Sequence, residues 1–253
     1  MRYYIEPSDK RSEKLIALLR EKGTEAVELN AQTVSEMQKD DVCVFSPAKK
    51  LLPNEATGLK EGITLFAGNL SAETESILRQ KDITRVNFLA DEIFAHKNAA
   101  LTAEGVLALL ISNTPKSIYQ NNILVLGWGR CAKAAALLFY RLGVRFSIAT
   151  HNEGKLGECF LYCDECYLKN DFLMDLKYFD VIVNTIPAHV FDRGMLAEMG
   201  NNTLVIEVAS VPCLEAAEAE RAGVKYLPAP ALPQVFCCEA AAVLMLETIE
   251  KRG

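Results

Sequence analysis

The segment Ile123-Leu124-Val125-Leu126-Gly127-Trp128-Gly129-Arg130-Cys131-Ala132 decides the fold predicted for this chain. A short apolar strand leads into two glycines separated by one residue, and a helical pattern follows as far as Leu142. This order of strand, tight turn and helix matches the Gly-x-Gly-x-x-Ala form of the dinucleotide-binding fingerprint. The sequence therefore predicts that residues from about 121 to 227 form a Rossmann-type domain that binds a nicotinamide dinucleotide.

The residues of this motif have separate predicted roles around the pyrophosphate of the dinucleotide. Gly127 would allow the tight turn, Gly129 would let the backbone approach the pyrophosphate, and Ala132 would let helix and sheet pack closely. The amides of Arg130 and Cys131 would face the anion at the positive end of the helix. A plain strand-to-helix turn without a ligand is the alternative.

Two side chains in the motif allow further interpretations. Trp128 could form a lid or wall beside the nicotinamide, and an aromatic contact between domains is an equal alternative. Cys131 lies at a helix N-terminus, which lowers the pKa of a thiol and could produce a reactive thiolate. A packing role for Cys131 is the favoured interpretation.

The second cofactor determinant is expected about twenty residues later, at the end of the next strand. An Asp or Glu there would bind the ribose hydroxyls of NAD, but this chain has Ala149, Thr150, His151 and Asn152. Thr150, His151, Asn152 and Lys155 could instead accept a 2′-phosphate. The sequence therefore favours NADP over NAD, although Glu153 could swing inward and His151 could lie in a solvated loop.

The rest of the chain alternates strands and helices, which predicts an α/β fold with two Rossmann-like domains and parallel sheets. The predicted domains are residues 1–97, with a linking segment 98–119 that contains a helix near 98–113, and residues 120–233. A C-terminal helix within 234–253 is predicted to pack back on the first domain and complete it. The predicted strands are 3–5, 26–29, 41–45, 64–67, 86–89, 123–126, 144–149, 181–184 and 204–208, and the predicted helices are 8–22, 74–80, 98–112, 130–142 and 239–251.

Composition excludes several classes of function. The formal net charge is −6 and no Lys/Arg cluster is visible, which argues against a nucleic-acid surface. No apolar run approaches the length of roughly 18 residues that a membrane span needs, and the first residues lack the apolar stretch of a secretion signal. We therefore expect a cytosolic protein without a membrane partner.

The chain has eight cysteines, which in a cytosolic protein are expected to be reduced thiols. Cys159, Cys163 and Cys166 could supply three thiolates to a metal, but no obvious fourth ligand accompanies them, so no metal site is predicted. Packing is the favoured role for Cys237 and Cys238.

Several segments of the chain resemble the family of dipicolinate synthase A-subunits. They are Leu-Thr-Ala-Glu-Gly (101–105), Val-Leu-Gly-Trp-Gly-Arg (125–130), Asn-Thr-Ile-Pro (184–187), Val-Ala-Ser (208–210) and Ala-Pro-Ala-Leu-Pro (229–233). The match runs in order from about residue 101 to 246, and Asp9 and Arg11 fit the family's Asp-x-Arg turn. The resemblance implies a two-domain fold like that of the D-2-hydroxyacid dehydrogenases and oxidation of a dihydrodipicolinate with a nicotinamide cofactor. It also implies a flavoprotein-like B-type partner and a role in sporulation.

Two of these segments are expected at the carboxyl edge of the second sheet, where open α/β sheets bind ligands. Asn184, Thr185, Ile186 and Pro187 follow one strand, so we expect their backbone and the Asn184 side chain to line the cofactor. Val208, Ala209 and Ser210 follow another strand, and their small size would leave space for the nicotinamide ring.

The chain departs from the family pattern at two charged positions. Val211 replaces an Arg whose guanidinium would suit a carboxylate, and Glu239 replaces a Lys, which reverses the charge. The chain is also shorter than the usual member of the family. Cofactor binding therefore transfers from the family more safely than the dipicolinate reaction.

The favoured function is an oxidoreductase that transfers hydride between NADP(H) and a small carboxylic acid in a cleft between the domains. The candidate substrate and catalytic residues are Asp9, Arg11, His189 and Glu239. His189 could shuttle a proton because its unperturbed pKa is near neutrality, or it could be a surface residue at a helix start. A non-catalytic paralogue that senses the dinucleotide or has a structural role in a complex is the alternative. A further alternative is other chemistry on the same fold, as in relatives of shikimate dehydrogenase, which have a similar Asn-Thr-x-Pro turn. We also expect the protein to form a homo-oligomer.

Overall fold

The structure of the protein is a computed structural model that describes residues 1–163, 165–200 and 202–252. It divides into two compact units. The first consists of Met1–Asn98 together with Pro233–Gly253, and the second of Ala99–Leu232. Each unit contains one sheet in which every strand pair is parallel, with helices interleaved between the strands. The predicted α/β fold with two Rossmann-like domains is therefore confirmed.

The first unit has a five-stranded sheet in the order β2-β1-β3-β4-β5. Its strands are β1 (Tyr3–Ile5), β2 (Ala26–Glu28), β3 (Val42–Val44), β4 (Thr64–Ala67) and β5 (Thr84–Asn87), and its helices are α1 (Lys10–Glu21), α2 (Ala31–Glu36), α3 (Pro53–Gly58) and α4 (Ala72–Gln80). The helix α5 (Glu92–Asn113) follows, and its residues are divided between the two units.

The last helix of the chain belongs to the first unit. After the short helix α10 (Leu232–Phe236), α11 (Cys238–Arg252) packs against α1. Ala242, Met245 and Ile249 of α11 are fully buried in one cluster with Leu15 and Leu19 of α1. This packing confirms the prediction that a C-terminal helix packs back on the first domain.

The second unit has a six-stranded sheet in the order β11-β10-β9-β6-β7-β8. Its strands are β6 (Ile123–Leu126), β7 (Phe146–Thr150), β8 (Glu165–Leu168), β9 (Val181–Asn184), β10 (Leu204–Glu207) and β11 (Lys225–Pro228), and its helices are α6 (Arg130–Leu142), α7 (Glu153–Cys159), α8 (Arg193–Glu198) and α9 (Ala216–Ala222). Every residue of the central strands β6, β9 and β10 is buried, as a parallel sheet covered on both faces requires.

Two boundaries differ from the sequence prediction because side chains cap the adjacent turns. The strand predicted at 86–89 is β5, which ends at Asn87, whose Oδ1 accepts from the Leu89 amide at 2.9 Å and starts a 3₁₀ turn. The helix predicted from residue 98 begins at Glu92, because Asp91 Oδ1 accepts from the amides of Ile93 and Phe94. No range was predicted for the helices α2, α3, α7, α8, α9 and α10 or for the strands β8 and β11.

Across residues 1–163, 165–200 and 202–252, no helix combines the length and apolar character that crossing a bilayer would require.

Candidate functional site

The turn after β6 needs glycine at its first position. Gly127 has φ +100°, and a Cβ there would lie 2.5 Å from Thr185 Oγ1. The turn is held on both sides, because the Gly127 amide donates to Ala149 O at 2.8 Å and Thr185 Oγ1 donates to Leu126 O at 2.7 Å. The backbone at the end of β6 is therefore fixed between the ends of β7 and β9.

The second glycine leaves open space in front of α6. Gly129 is the N-cap of α6, and a Cβ built there would meet no atom within 4 Å. The first-turn amides of a helix have no intrahelical acceptors, and they lie at the positive end of the helix dipole. Ala132 is fully buried, which lets α6 pack closely on the sheet. Such an open helix start fits a bound anion, including the pyrophosphate of a dinucleotide.

Trp128 lies in the hydrophobic core of the second unit. Its side chain is 4% exposed, and its ring packs edge-on against Tyr162 with 5.5 Å between the ring centroids. Trp128 Nε1 donates to Glu158 Oε2 at 2.8 Å, and Lys133 Nζ donates to Glu158 Oε1 at 2.7 Å. This packing lies within the second unit, and the predicted place of Trp128 beside the nicotinamide stays a prediction. Its ring ties the glycine turn to α7.

Glu158, the acidic group that Trp128 and Lys133 contact, is held ionised. Hydrogen bonds from Lys133 and then Trp128 lower the pKa of the Glu158 carboxyl below its usual value.

Cys131, in the first turn of α6, has a pKa shifted in the opposite direction. Burial raises the pKa of the Cys131 thiol, and the nearby positive charge of Arg130 offsets this only in part. This raised pKa favours the neutral thiol over the thiolate at Cys131.

The segment after β7 presents exposed polar groups at the carboxyl edge of the sheet. Thr150 is buried, and its Oγ1 accepts from the Asn152 amide at 3.3 Å. His151, Asn152 and Lys155 are exposed, as is Glu153 in the first turn of α7. The groups predicted to receive a 2′-phosphate are thus all accessible except Thr150.

Asn184 has a different place from the predicted one. Its side chain is fully buried and donates through Nδ2 to Ile186 O at 3.0 Å and to Glu207 Oε1 at 2.8 Å. Asn184 Oδ1 accepts from the Ile186 amide at 3.1 Å. The prediction that the Asn184 side chain lines a cofactor is corrected, because these bonds commit it to shaping the turn. Thr185 and Ile186 are half-buried and Pro187 is exposed.

Glu207, which no sequence motif singled out, joins the two edge segments. Its side chain is 4% exposed in total, and its Oε1 also accepts from the Ala209 amide at 3.0 Å. Its Oε2 accepts from the Cys213 amide at 2.7 Å. Val208 and Ala209 are half-buried and Ser210 is exposed. The available sequence signal was an acidic residue that ends the otherwise apolar strand Leu-Val-Ile-Glu.

Asp9 and Arg11, in the first unit, bind each other. Arg11 Nη2 donates to Asp9 Oδ2 at 2.7 Å and to Ser46 Oγ at 2.7 Å, and the two charged side chains are only 4% and 2% exposed. Asp9 also caps α1 by accepting from the Arg11 amide. Burial acts to raise the pKa of Asp9, but hydrogen bonds and charge from Arg11 outweigh it and lower the pKa. This mutual pairing corrects the expectation that both groups contact a substrate.

The other two catalytic candidates are exposed. Glu239 forms an ion pair with Lys14 at 2.8 Å, and its side chain is 77% exposed on the surface of the first unit. The hydrogen bond from Lys14 lowers the pKa of Glu239. Glu239 therefore connects α11 to α1, and its role at a substrate stays a prediction. His189 lies exposed in the loop after β9.

The cysteine cluster contains thiols close to one another. Cys163 Sγ and Cys166 Sγ are 3.5 Å apart, and burial raises the pKa of Cys159 and of Cys166 to about 12. No group of three or more His, Cys, Asp or Glu side chains in the described part of the chain is arranged to hold a metal ion.

A cavity of about 520 Å³ lies at the opposite end of the same sheet. Ile123, Phe146 and Glu165, which are the first residues of β6, β7 and β8, line it together with Tyr140 and Tyr178. It is therefore separate from the glycine turn and from the edge segments, which follow the last residues of the strands.

No family model matches the chain. A curated protein, the A-subunit of dipicolinate synthase from Bacillus subtilis (strain 168), is 27% identical over 188 residues, which are 74% of this chain. The resemblance to the dipicolinate synthase A-subunits is confirmed. The matched region spans 63% of the length of that curated relative.

Solved structures show the same fold. The dipicolinate synthase A-subunit from Bacillus halodurans superposes with a TM-score of 0.84 at 22% identity, covering 99% of this chain and 96% of the other. D-lactate dehydrogenase from Escherichia coli superposes with a TM-score of 0.66 at 13% identity, covering 99% and 97%. At these identities the likeness concerns the fold alone, which both of these proteins share with this chain.

Proposed function

We propose that the second unit binds a nicotinamide dinucleotide, with the pyrophosphate against residues 127–131, and that the protein is an NADP(H)-dependent oxidoreductase. The observation that carries the proposal is the open start of α6 at Gly129, which follows a glycine turn braced by Thr185. Backbone amides at such a helix start suit a doubly charged pyrophosphate. The fold shared with dehydrogenases supports the class of reaction but does not choose the substrate.

The preference for NADP over NAD rests on the segment after β7. An acidic residue at the end of that strand would select the ribose hydroxyls of NAD, whereas this chain exposes His151, Asn152 and Lys155 there. Lys155 is cationic and the other two side chains can donate hydrogen bonds, so together they suit a 2′-phosphate. Glu153 opposes this preference if it points toward the ribose.

The proposed reaction is oxidation of dihydrodipicolinate or a related small carboxylic acid, as the similarity to the dipicolinate synthase A-subunit suggests. A nicotinamide dinucleotide held at residues 127–131 would supply the hydride acceptor, and the substrate would also have to lose one proton to a base or to water for the two-electron oxidation to balance. His189 is exposed in the loop after β9 and is our candidate acceptor for that proton. Residues 185–187 and 208–210 would orient the ring and exclude water from one side.

A second protein is part of this proposal. The name of the curated relative makes it one component of a synthase, so we propose that this chain also assembles with a different, B-type subunit. The flavoprotein-like nature of that partner and a role in sporulation come from the resemblance described above. Formation of a homo-oligomer stays a prediction.

A second candidate function is that of a non-catalytic dinucleotide-binding component or sensor. Asp9 and Arg11 neutralise each other in a buried pair, and Glu239 is bound by Lys14, so three of the four candidate catalytic groups already have structural partners. Val211 moreover stands where the family has an Arg. Binding without turnover is the result that favours this alternative.

The experiment is a calorimetric titration of the purified chain with NADPH and NADH, followed by a spectrophotometric assay with NADP⁺ and enzymatically generated dihydrodipicolinate. We expect NADPH to bind more tightly than NADH, and turnover to fall in His189→Gln but not in His96→Gln, which replaces another exposed histidine. Binding without turnover, even with the B-type partner present, would support the sensor. No binding of either dinucleotide would refute the proposed function.

A further inference from the structure

Glu207 is a charged group in an unusual place, since it ends a fully buried central strand. A buried carboxylate is costly unless donors surround it. Three donors contact it, namely Asn184 Nδ2 at 2.8 Å, the Ala209 amide at 3.0 Å and the Cys213 amide at 2.7 Å. Burial, followed by the nearby Glu207 charge, raises the pKa of Tyr226 on the neighbouring strand β11.

The three donors lie at the carboxyl edge of the sheet. Asn184 is the last residue of β9 and directly precedes the loop after that strand, while Ala209 and Cys213 lie in the loop after β10. Cys213 also links the loops through its carbonyl, which accepts from the amides of Val190 and Phe191 at 2.8 and 3.0 Å. The Glu207 carboxylate is thus a shared anchor for both loops, and His189 lies directly before Val190 in one of them.

These loops lie on one side of the glycine turn. β6, which carries the turn, pairs with β7 on one side and with β9 on the other, and β10 is the next strand beyond β9. In a Rossmann-type sheet the dinucleotide crosses this edge, with the adenosine half beside the strand after the first helix. The nicotinamide half then lies toward β9 and β10.

We infer that Glu207 is a positioning residue that holds the loops after β9 and β10 in the spacing required by the nicotinamide half of the cofactor. The inference rests on the proposed function. Its chemical basis is that all three contacts donate to Glu207, so only a group that accepts at both oxygens satisfies them. An amide in its place would turn an NH₂ group toward a donor and lose one bond.

The test compares two ligands on the same protein. Adenosine 2′,5′-diphosphate represents the adenosine half of NADPH and lacks the nicotinamide. In Glu207→Gln, we expect NADPH affinity to fall about tenfold, the effect of one lost hydrogen bond to a charged group. Affinity for adenosine 2′,5′-diphosphate is expected to stay within about twofold, because the segments after β6 and β7 are unchanged. Glu198→Gln, an exposed change on α8, is the matched control and should leave both affinities unaltered.

A merely structural role of Glu207 would give a different pattern of affinities, because partial unfolding lowers the affinity for both ligands by the same factor. Equal losses for the two ligands, or no loss for either, would therefore overturn the inference. If Glu207→Gln does not fold, Glu207→Asp keeps the charge but shortens its reach, and the same selective loss of NADPH affinity is expected of it. Failure of the wild-type chain to bind NADPH would instead refute the proposed function, and the inference with it.

Discussion

Replacement of Gly129 by Asp is expected to abolish dinucleotide binding while the fold stays intact. A side chain at this position enters open space, because a Cβ there has no neighbour within 4 Å, and the backbone φ of −87° is accessible to any residue. Asp is moreover a better N-cap than Gly, by a few tenths of a kcal/mol, and its charge is favourable at a helix N-terminus. The variant should therefore unfold at the same temperature as the wild type or slightly above it.

The loss of affinity follows from charge. Two like charges about 5 Å apart, such as an Asp carboxylate at the start of α6 and one charge of a pyrophosphate held there, repel by about 3 kcal/mol at an effective dielectric constant near 20. That energy corresponds to a loss of at least about 100-fold in affinity. Gly129→Asn, which also caps a helix but is neutral, is the matched control and is expected to lose distinctly less.

The assay is calorimetric titration with NADPH alongside thermal unfolding of each variant. Two results would refute the reasoning. Undiminished NADPH affinity in Gly129→Asp would show that the ligand does not approach this helix start. A large fall in unfolding temperature would show that the position is not open, and the loss of binding could then be a consequence of misfolding.

Three further outcomes are expected. Gly127→Ala should lower the free energy of unfolding by about 3 kcal/mol, because φ is +100° and the new Cβ would clash with Thr185. Gly143→Ala, at a left-handed position with open space around it, should lower it by only about 1 kcal/mol. Urea denaturation of both variants tests this difference. Asp9→Asn should cost about 3 kcal/mol at pH 7 by leaving Arg11 buried without its partner. Since the pKa of Asp9 is lowered on folding, that difference should persist above pH 3.8 and shrink as the pH falls through the folded-state pKa; a difference that instead grows toward acid pH would contradict the assignment. Trp128, the one tryptophan in the sequence, should show energy transfer to bound NADPH as quenched indole emission, and unchanged emission at saturating NADPH would count against binding in the second unit.

The sequence was sufficient where local pattern and tertiary structure agree. The helix predicted at 130–142 matches α6, because its apolar face repeats with helical spacing and Gly143 supplies the left-handed C-cap. The strands at 64–67, 123–126 and 181–184 are also correct to the residue. Each is a short apolar run bounded by turn-forming residues, as buried parallel strands are.

Features that depend on contacts between residues far apart in the chain could not be predicted from the sequence. The role of Glu207 depends on Asn184, which lies 23 residues away, and nothing near Glu207 in the chain signals that contact. The burial of Trp128 likewise depends on Glu158, 30 positions later. Asn184 was predicted to face a ligand, because the strand end was known but the direction of the side chain was not.

Short-range side-chain caps account for the misplaced boundaries. Asp91 was a visible capping residue for α5, but the apolar pattern that predicted this helix is clearest only from residue 98. At the end of β5, the cap formed by Asn87 competes with continued strand, so the apolar residues Phe88 and Leu89 leave the sheet. Boundaries of this kind follow from single hydrogen bonds rather than from periodicity.

The position of α11 in the first unit has a consequence for synthesis on the ribosome. The sheet of that unit is complete in sequence by Asn87, yet the core that covers it includes Ala242, Met245 and Ile249. At a translation rate of about 5–20 residues per second, α11 is synthesised roughly 10–30 s after the last strand of the first unit. The second unit is continuous in sequence and can fold during that time. The first unit of the nascent chain therefore carries an incomplete apolar surface until α11 has been translated, and α11 is the last of its elements to join it.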